Sequence, residues 1–286
     1  MATPIWQAST GAWDTAGNWS TAAVPVDGDS VYFTGASNQS VTSGLTLGAS
    51  GDALALLHTH ADFTGDIGTS GGKLVAGDSI TTIRLYSRSG HAYIDTASTT
   101  NVYLAGQVTD FAELDGTITN IYAIGAGGSW SITNGAAVTN VRQFNSPNCT
   151  CTIGTGVTAL TQVICKSGRI INNSAVSGAG SQDNPGMVMV ENSYYEHAVG
   201  AIYYMIVGAG GYVKHTSSGT ITHLVMMPGA TFDGRVNRNL SVTVTNLYTY
   251  PGSKTMVDNG LNTYAVTNIY NLGGSIDAAV GDQTAI

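Results

Sequence analysis

The sequence predicts an all-β chain wound as a single-stranded parallel β-helix, expected to be right-handed. Three observations carry that prediction. A four-residue phrase returns at a nearly constant interval, the composition is that of strands and turns, and no segment shows the apolar period of a substantial helix. Residues 1–40 read as a Trp-rich cap and residues 41–286 as the coils of the β-helix.

The phrase appears as Thr81-Thr82-Ile83-Arg84, Thr100-Asn101-Val102-Tyr103, Thr119-Asn120-Ile121-Tyr122, Thr139-Asn140-Val141-Arg142, Thr245-Asn246-Leu247-Tyr248 and Thr267-Asn268-Ile269-Tyr270, a period of roughly 19 to 23 residues. Thr161-Gln162-Val163-Ile164 and Thr222-His223-Leu224-Val225 keep the register. Met187-Val188-Met189-Val190 fills a gap, and Ala201–Gly211 aligns with Ile118–Gly128 through the shared ending Gly-Ala-Gly-Gly. The repeat then yields about ten rungs near 4.8 Å apart, a rod on the order of 50 Å long. Strict alternation would turn Thr100, Val102 and Leu104 inward and Asn101 and Tyr103 outward, stacking the Asn and Tyr residues in columns. A β-sandwich has no reason to repeat one phrase at a fixed interval, and a propeller blade needs about 40 residues.

Composition narrows the class further. Gly supplies 37 of 286 residues and charged residues only 10%, so the surface lacks the Lys and Glu of exposed helices, while a hydrophobic fraction of 43% suffices for a core. A net charge of −8 and the absence of a basic cluster argue against nucleic acid as a partner. Met1–Trp13 has no basic or apolar signal region, and no stretch approaches the roughly 18 apolar residues of a membrane helix, so neither secretion by a standard signal nor a membrane is expected. Cys149, Cys151 and Cys165 read as buried thiols in a reducing compartment: an odd number leaves the pairing incomplete, and a zinc site lacks its fourth ligand.

Trp6, Trp13 and Trp19 are three of the chain's four tryptophans and lie before the first phrase. They suit a plug over the open end of a β-helix, and the same segment is a candidate attachment surface. On the coils, Tyr103, Tyr122, Tyr248 and Tyr270 are candidate contact residues, because an outward aromatic column can stack on sugars or pack against a subunit.

Candidate chemistry is sparse. Asp110, Glu113 and Asp115, with Asp95 one rung earlier, are a carboxylate cluster of the kind a glycosidase uses, with no basic residue nearby in sequence. Tyr194, Glu196 and His197 form a second cluster. His58 and His60 could share a face but lack an acidic or thiol partner, and Asp27-Gly28-Asp29 has only the opening of a calcium loop. No catalytic residue, cofactor or metal site is assigned, and no enzymatic activity is expected.

The opening Gly17-Asn18-Trp19, Pro25, Asp29, Val31, Phe33, followed by Phe63-Thr64-Gly65-Asp66-Ile67-Gly68, resembles bacteriophage virion proteins of the capsid decoration or cement type, which continue as short β-helical coils. The likeness is concentrated in about the first 70 residues. It implies a non-enzymatic protein, made in the host cytoplasm and placed on the capsid surface as a homotrimer or other oligomer, which bridges major capsid protein subunits and stabilises the head. The reading from another class is a tailspike or fibre that binds or cleaves polysaccharide, which requires a carboxylate-lined groove across rungs.

Overall fold

The structure, a computed structural model, describes residues 1–286 apart from 49–50, 52, 107–110, 134, 177–185, 236–240, 258–262 and 278–286. Two compact units form, Met1–Val138 with Asn148–Thr150, and Thr139–Pro147 with Cys151–Ile286. Both are wound from parallel strands, so the chain is a parallel β-helix. Among the described residues the only helical turn is a short 3-10 segment at Ala16–Asn18, and no helix is long and apolar enough to cross a membrane.

The rung is built on an inward triplet. Ile80/Ile83/Leu85, Ile118/Ile121/Ala123, Ile202/Met205/Val207 and Ile221/Leu224/Met226 are each buried to 2% exposure or less, at spacing i, i+3, i+5. The strict alternation expected of the phrase therefore fails at one place. Thr99 is buried and Thr100 exposed, so Thr100 and Asn101 both face outward before Val102 turns in. The ladder skips a residue at the same place: Ile202 pairs with Ile221, and the next pair is Tyr204 with His223. Ile221 with Val244 and then His223 with Asn246 repeats the pattern. A strand kinked in this way bends around the core instead of running straight past it.

In the first unit Ser30–Phe33, Ala53–Thr59, Leu74–Leu85, Ala92–Leu104 and Ala112–Ile124 pair in succession. Their inward column is Val31, Leu57, Ile83, Val102 and Ile121, all fully buried. Register breaks between Ala76 and Ser79 and between Thr96 and Thr99 mark a corner, before which each strand belongs to a second, return face that continues to Gly128–Ile132. Gly116 sits at that corner with φ +87°, and a Cβ there would collide with the Thr96 carbonyl, so only glycine lets the two rungs approach. Ser30–Phe33 is already a paired rung, and the β-helix thus begins inside the segment 1–40 that the sequence assigns to the cap.

In the second unit two ladders run side by side. The phrase strands are Gln162–Cys165, Met187–Val190, Ile202–Val207, Ile221–Met226, Ser241–Thr249 and Thr263–Asn271. The return strands are Arg169–Asn172, Tyr194–His197, Tyr212–His215, Thr231–Asp233, Lys254–Met256 and Ser275–Asp277. The coil from Met187 to its partner Tyr204 takes 17 residues and that from Gln162 to Met187 takes 25, so the corners absorb the variation while the ladder holds its register. Met187–Val190 fills its gap as expected. The alignment of Ala201–Gly211 with Ile118–Gly128 is wrong by one residue. It matches Tyr204 to inward Ile121, whereas the inward residue is Met205, paired with Leu224. A one-residue slip would expose Met205 and Val207 and bury Tyr204, and apolar burial decides against it.

The recurring Asn now has a cause. Asn120 Nδ2 donates to Asn101 Oδ1 at 3.2 Å and to the Thr100 carbonyl at 3.4 Å, and Asn246 Nδ2 reaches the Thr222 carbonyl at 3.4 Å. Asn268 Nδ2 donates to Asn246 Oδ1 at 2.9 Å. The amide thus bonds to its counterpart one rung back and to the carbonyl beside the ladder's skipped position, a group that needs a donor wherever the strand kinks. Replacing it removes those bonds. Asn246→Ala is expected to cost about 1 kcal/mol of stability, measured by urea denaturation followed by far-UV circular dichroism; an unchanged midpoint would show that water serves the carbonyl equally well.

Candidate functional site

The three N-terminal tryptophans are interior. Trp6, Trp13 and Trp19 are 0–2% exposed. Trp19 meets Trp6 at 4.9 Å and Trp13 at 4.8 Å, edge to face, and all three rings surround Phe33 of the first rung at 5.8–6.1 Å. Trp6 Nε1 donates to Gln39 O and Trp19 Nε1 to Trp13 O, both at 2.8 Å. These indoles close the core and are not available as contact residues, which corrects their assignment to an interface. Asp29, 3% exposed, accepts hydrogen bonds from Ala2 N (2.6 Å) and Val26 N (3.1 Å), while Asp27 accepts from Ala53 N. The Asp27-Gly28-Asp29 turn ties the cap to the first coil, a structural use for what resembled the start of a calcium loop.

The tyrosines of the phrase face outward and are half-buried by their neighbours. Tyr103 and Tyr122 stack at 5.2 Å with planes 13° apart, and Tyr248 and Tyr270 at 4.6 Å and 7°. Arg84 lies over Tyr103. In the second unit the column to which Tyr248 and Tyr270 belong does not continue as tyrosine. Going back from Tyr248, the paired residues are Val225, Ile206, Met189 and Ile164, an outward aliphatic run without the repeated Tyr. The signal lies in the strands themselves, where Met187–Val190 and Ile202–Val207 carry apolar residues at outward as well as inward positions.

The first unit holds the carboxylates. Asp95 pairs in register with Asp115 and Tyr93 with Glu113, so the three acids occupy two neighbouring rungs of the return face; Asp110 lies outside the described residues. Lys73 Nζ reaches Glu113 at 3.0 Å and Asp115 at 3.2 Å. The basic residue absent from the local sequence thus arrives from two rungs earlier, correcting the picture of a cluster without a cation. Burial and the charge of Asp115 push the Asp95 carboxyl up. Burial would do the same to Asp115, but hydrogen bonds from Gly116 N–H, Thr133 and Lys73, with the Lys73 charge, hold it below the usual range. Two carboxyls driven apart in this way are the electrostatic condition for an acid and a base on one face.

The second cluster divides. Tyr194 and Glu196 face outward, where Glu196 is held by Lys214 at 2.8 Å, Arg169 at 3.5 Å and the Tyr194 hydroxyl at 3.2 Å, and Tyr194 stacks on Tyr212 at 5.5 Å. The two cations and the hydroxyl overcome the effect of burial and keep the Glu196 carboxyl low, as in a structural ion pair. His197 points inward and is fully buried, so it cannot work with Glu196. Its Nε2 lies 3.0 Å from Gly200 O and its Nδ1 3.3 Å from the Tyr195 hydroxyl, which also accepts from Asn172 Nδ2 at 3.0 Å. His197 and His215 stack at 5.5 Å across one rung.

His58 and His60 do lie together, with ring centroids 4.6 Å apart, but as part of an aromatic group with Tyr32 and Tyr86. Among the described residues no three His, Cys, Asp or Glu are placed to hold a metal ion. The cysteines are buried free thiols. No known protein family, curated protein or solved structure matches the chain.

The buried histidines make acid sensitivity predictable. Burial lowers His197 to about 4, and burial with the neighbouring His197 lowers His215 to about 3. In the unfolded chain both titrate near about 6.5, so below that pH the unfolded state binds protons that the folded state refuses. Their contribution is complete above pH 6.5 and falls as pH drops toward about 4. Thermal melts across that interval should show a falling midpoint, and His215→Phe should flatten the slope; a wild-type midpoint constant from pH 7 to 4.5 would mean that the imidazoles are protonated in the fold.

Proposed function

We propose that the protein is a structural component of a bacteriophage virion, a decoration or cement protein on the capsid surface that associates with itself and bridges major capsid protein subunits. The observation that carries this reading is the opening segment. The residues by which it resembles decoration proteins are those that seat the cap: Asn18 donates from Nδ2 to Ala12 O at 2.7 Å, Trp19 is in the plug, Asp29 holds the N-terminus, and Val31, Phe33, Phe63 and Ile67 are inward. Parallel strands stacked rung on rung within each unit make stiff bodies suited to clamping a shell. Attachment through the N-terminal segment would use its outer residues, since the indoles are enclosed. Mass spectrometry of purified virions should find the chain at a copy number that scales with the major capsid protein; presence at a few copies, or absence, would overturn the assignment to the head.

A second reading is favoured by a specific observation, the Asp95–Asp115 pair beside Lys73 and Glu113. In a polysaccharide-cleaving fibre, Asp95 would be the proton donor and Asp115 the ionised partner. Incubation with host surface polysaccharide should then release reducing ends, and Asp95→Asn should lower the rate at least about 100-fold. Absence of release by the wild-type protein removes this reading.

A further inference from the structure

The outward aliphatic run in the second unit is the centre of a wider face. Ile164, Met189, Ile206 and Val225 follow one another in register, one rung apart, all on the solvent side of the phrase strands. On one flank Met187 and Tyr204 continue the pattern in a column otherwise held by Asn, Gln and His223. On the other, the next outward positions run Lys166, Glu191, Gly208, Met227, Tyr250 and Leu272, and Met227 at 38% and Leu272 at 59% are among the exposed large apolar side chains of the described residues. Backbone bonds from Met227 N to Val207 O and from Leu272 N to Thr249 O keep this flank in the same ladder.

The face also carries no excess of negative charge in an acidic chain, and four of its strands carry no charge at all. Ile202–Val207, Ile221–Met226, Ser241–Thr249 and Thr263–Asn271 contain no Asp, Glu, Lys or Arg, although the whole sequence carries a net charge of −8. The strands that carry Ile164 and Met189 run on into Lys166 and Glu191, which lie in the same column as Met227 and Leu272 and neutralise each other at 3.2 Å, and the preceding strand brings Arg142, bonded to Gln162 at 2.8 Å. The side chains of Ile164, Met189, Ile206 and Val225 offer the hydroxyls of a polysaccharide no hydrogen-bond partner, and the run offers an anionic membrane no row of cations. Two copies of the chain repel each other through their net charge, and a face whose few charges cancel is where that repulsion is weakest and apolar burial strongest.

The size fits a pair. Three outward columns about 7 Å apart on six strands about 4.8 Å apart cover on the order of 500 Å² on each copy, so two faces in contact bury about 1,000 Å², the level at which specific association begins. A surface that pairs with itself needs a two-fold axis, and Ile206 lies near the middle of the run, where an axis would bring it against its own counterpart.

We propose that this face of the second unit is a self-association surface, on which a second copy of the chain packs sheet against sheet with Ile206 and Val225 at its centre. The proposal specifies the self-contact of the virion reading but does not depend on a capsid. Sedimentation of the purified full-length protein tests it alone, whereas virion mass spectrometry tests the location. The wild type is expected to sediment as a dimer, and Ile206→Lys and Val225→Lys as monomers with unchanged circular dichroism. Should both Lys variants fail to fold, Ile206→Cys decides. The native cysteines are buried, so a short bismaleimide should join two Ile206→Cys chains and leave Thr231→Cys chains, altered on the return face, unjoined. A monomeric wild type at high micromolar concentration overturns the proposal, as do Lys variants that keep the dimer mass or absence of the Ile206→Cys cross-link. A monomer that loses capsid or polysaccharide binding through Ile206→Lys would assign the face to that partner and likewise overturn it.

Discussion

Each rung of this chain must leave its backbone groups aligned with the rung before while turning a corner around an apolar core, and the rest of the architecture follows from that demand. The inward triplet at i, i+3, i+5 meets it by placing two outward residues in succession, so that the strand bends without losing its pairing on either side. The bend interrupts the ladder for one residue. Asn at the next position covers the interruption with its amide, bonding to the carbonyl beside the gap and to the amide one rung away. Thr and Asn recur in the sequence because the kink recurs in the fold, and the apolar residues at fixed offsets recur because one core runs beneath each kink.

Periodicity of this kind survives in a single sequence, which is why the β-helix, its phrase and most of its register could be read in advance. Val163 and Leu224 pair with their expected neighbours Val141 and Leu247. What failed was local. Strict alternation turns Thr100 inward because it ignores the kink, and the glycine ending that aligns Ala201–Gly211 with Ile118–Gly128 belongs to the corner, where length varies, and not to the buried triplet, where it cannot. Ser30–Phe33 reads as a strand entered by a tight turn but not as a rung, because it lacks the Thr-Asn pair while keeping the inward Val31 and Phe33.

The surfaces were harder to read for a geometrical reason. On a β-helix the nearest outward neighbours of a residue come from the adjacent rungs, some twenty positions away, and not from its own strand. Lys73 joins Glu113 and Asp115 by this route, and Arg169, Glu196 and Lys214 form one network from three rungs. The same geometry separates residues that are adjacent in the chain: Glu196 is outside, locked by cations, and His197 is inside, stripped of water. The aliphatic run from Ile164 to Val225 has no phrase to announce it, since it consists of the positions where the repeated Tyr is missing.

The distribution of the rarer side chains separates the two units spectroscopically and chemically. All four tryptophans, Trp6, Trp13, Trp19 and Trp130, belong to the first unit and are buried there, so intrinsic fluorescence reports on that unit alone. Cys165 belongs to the second, is fully enclosed, and has a thiol raised by burial to about 11, which leaves almost no thiolate to react while the fold is closed. An emission shift and the onset of Cys165 alkylation therefore form a pair of native reporters, able to tell whether the chain melts as one cooperative body or half by half.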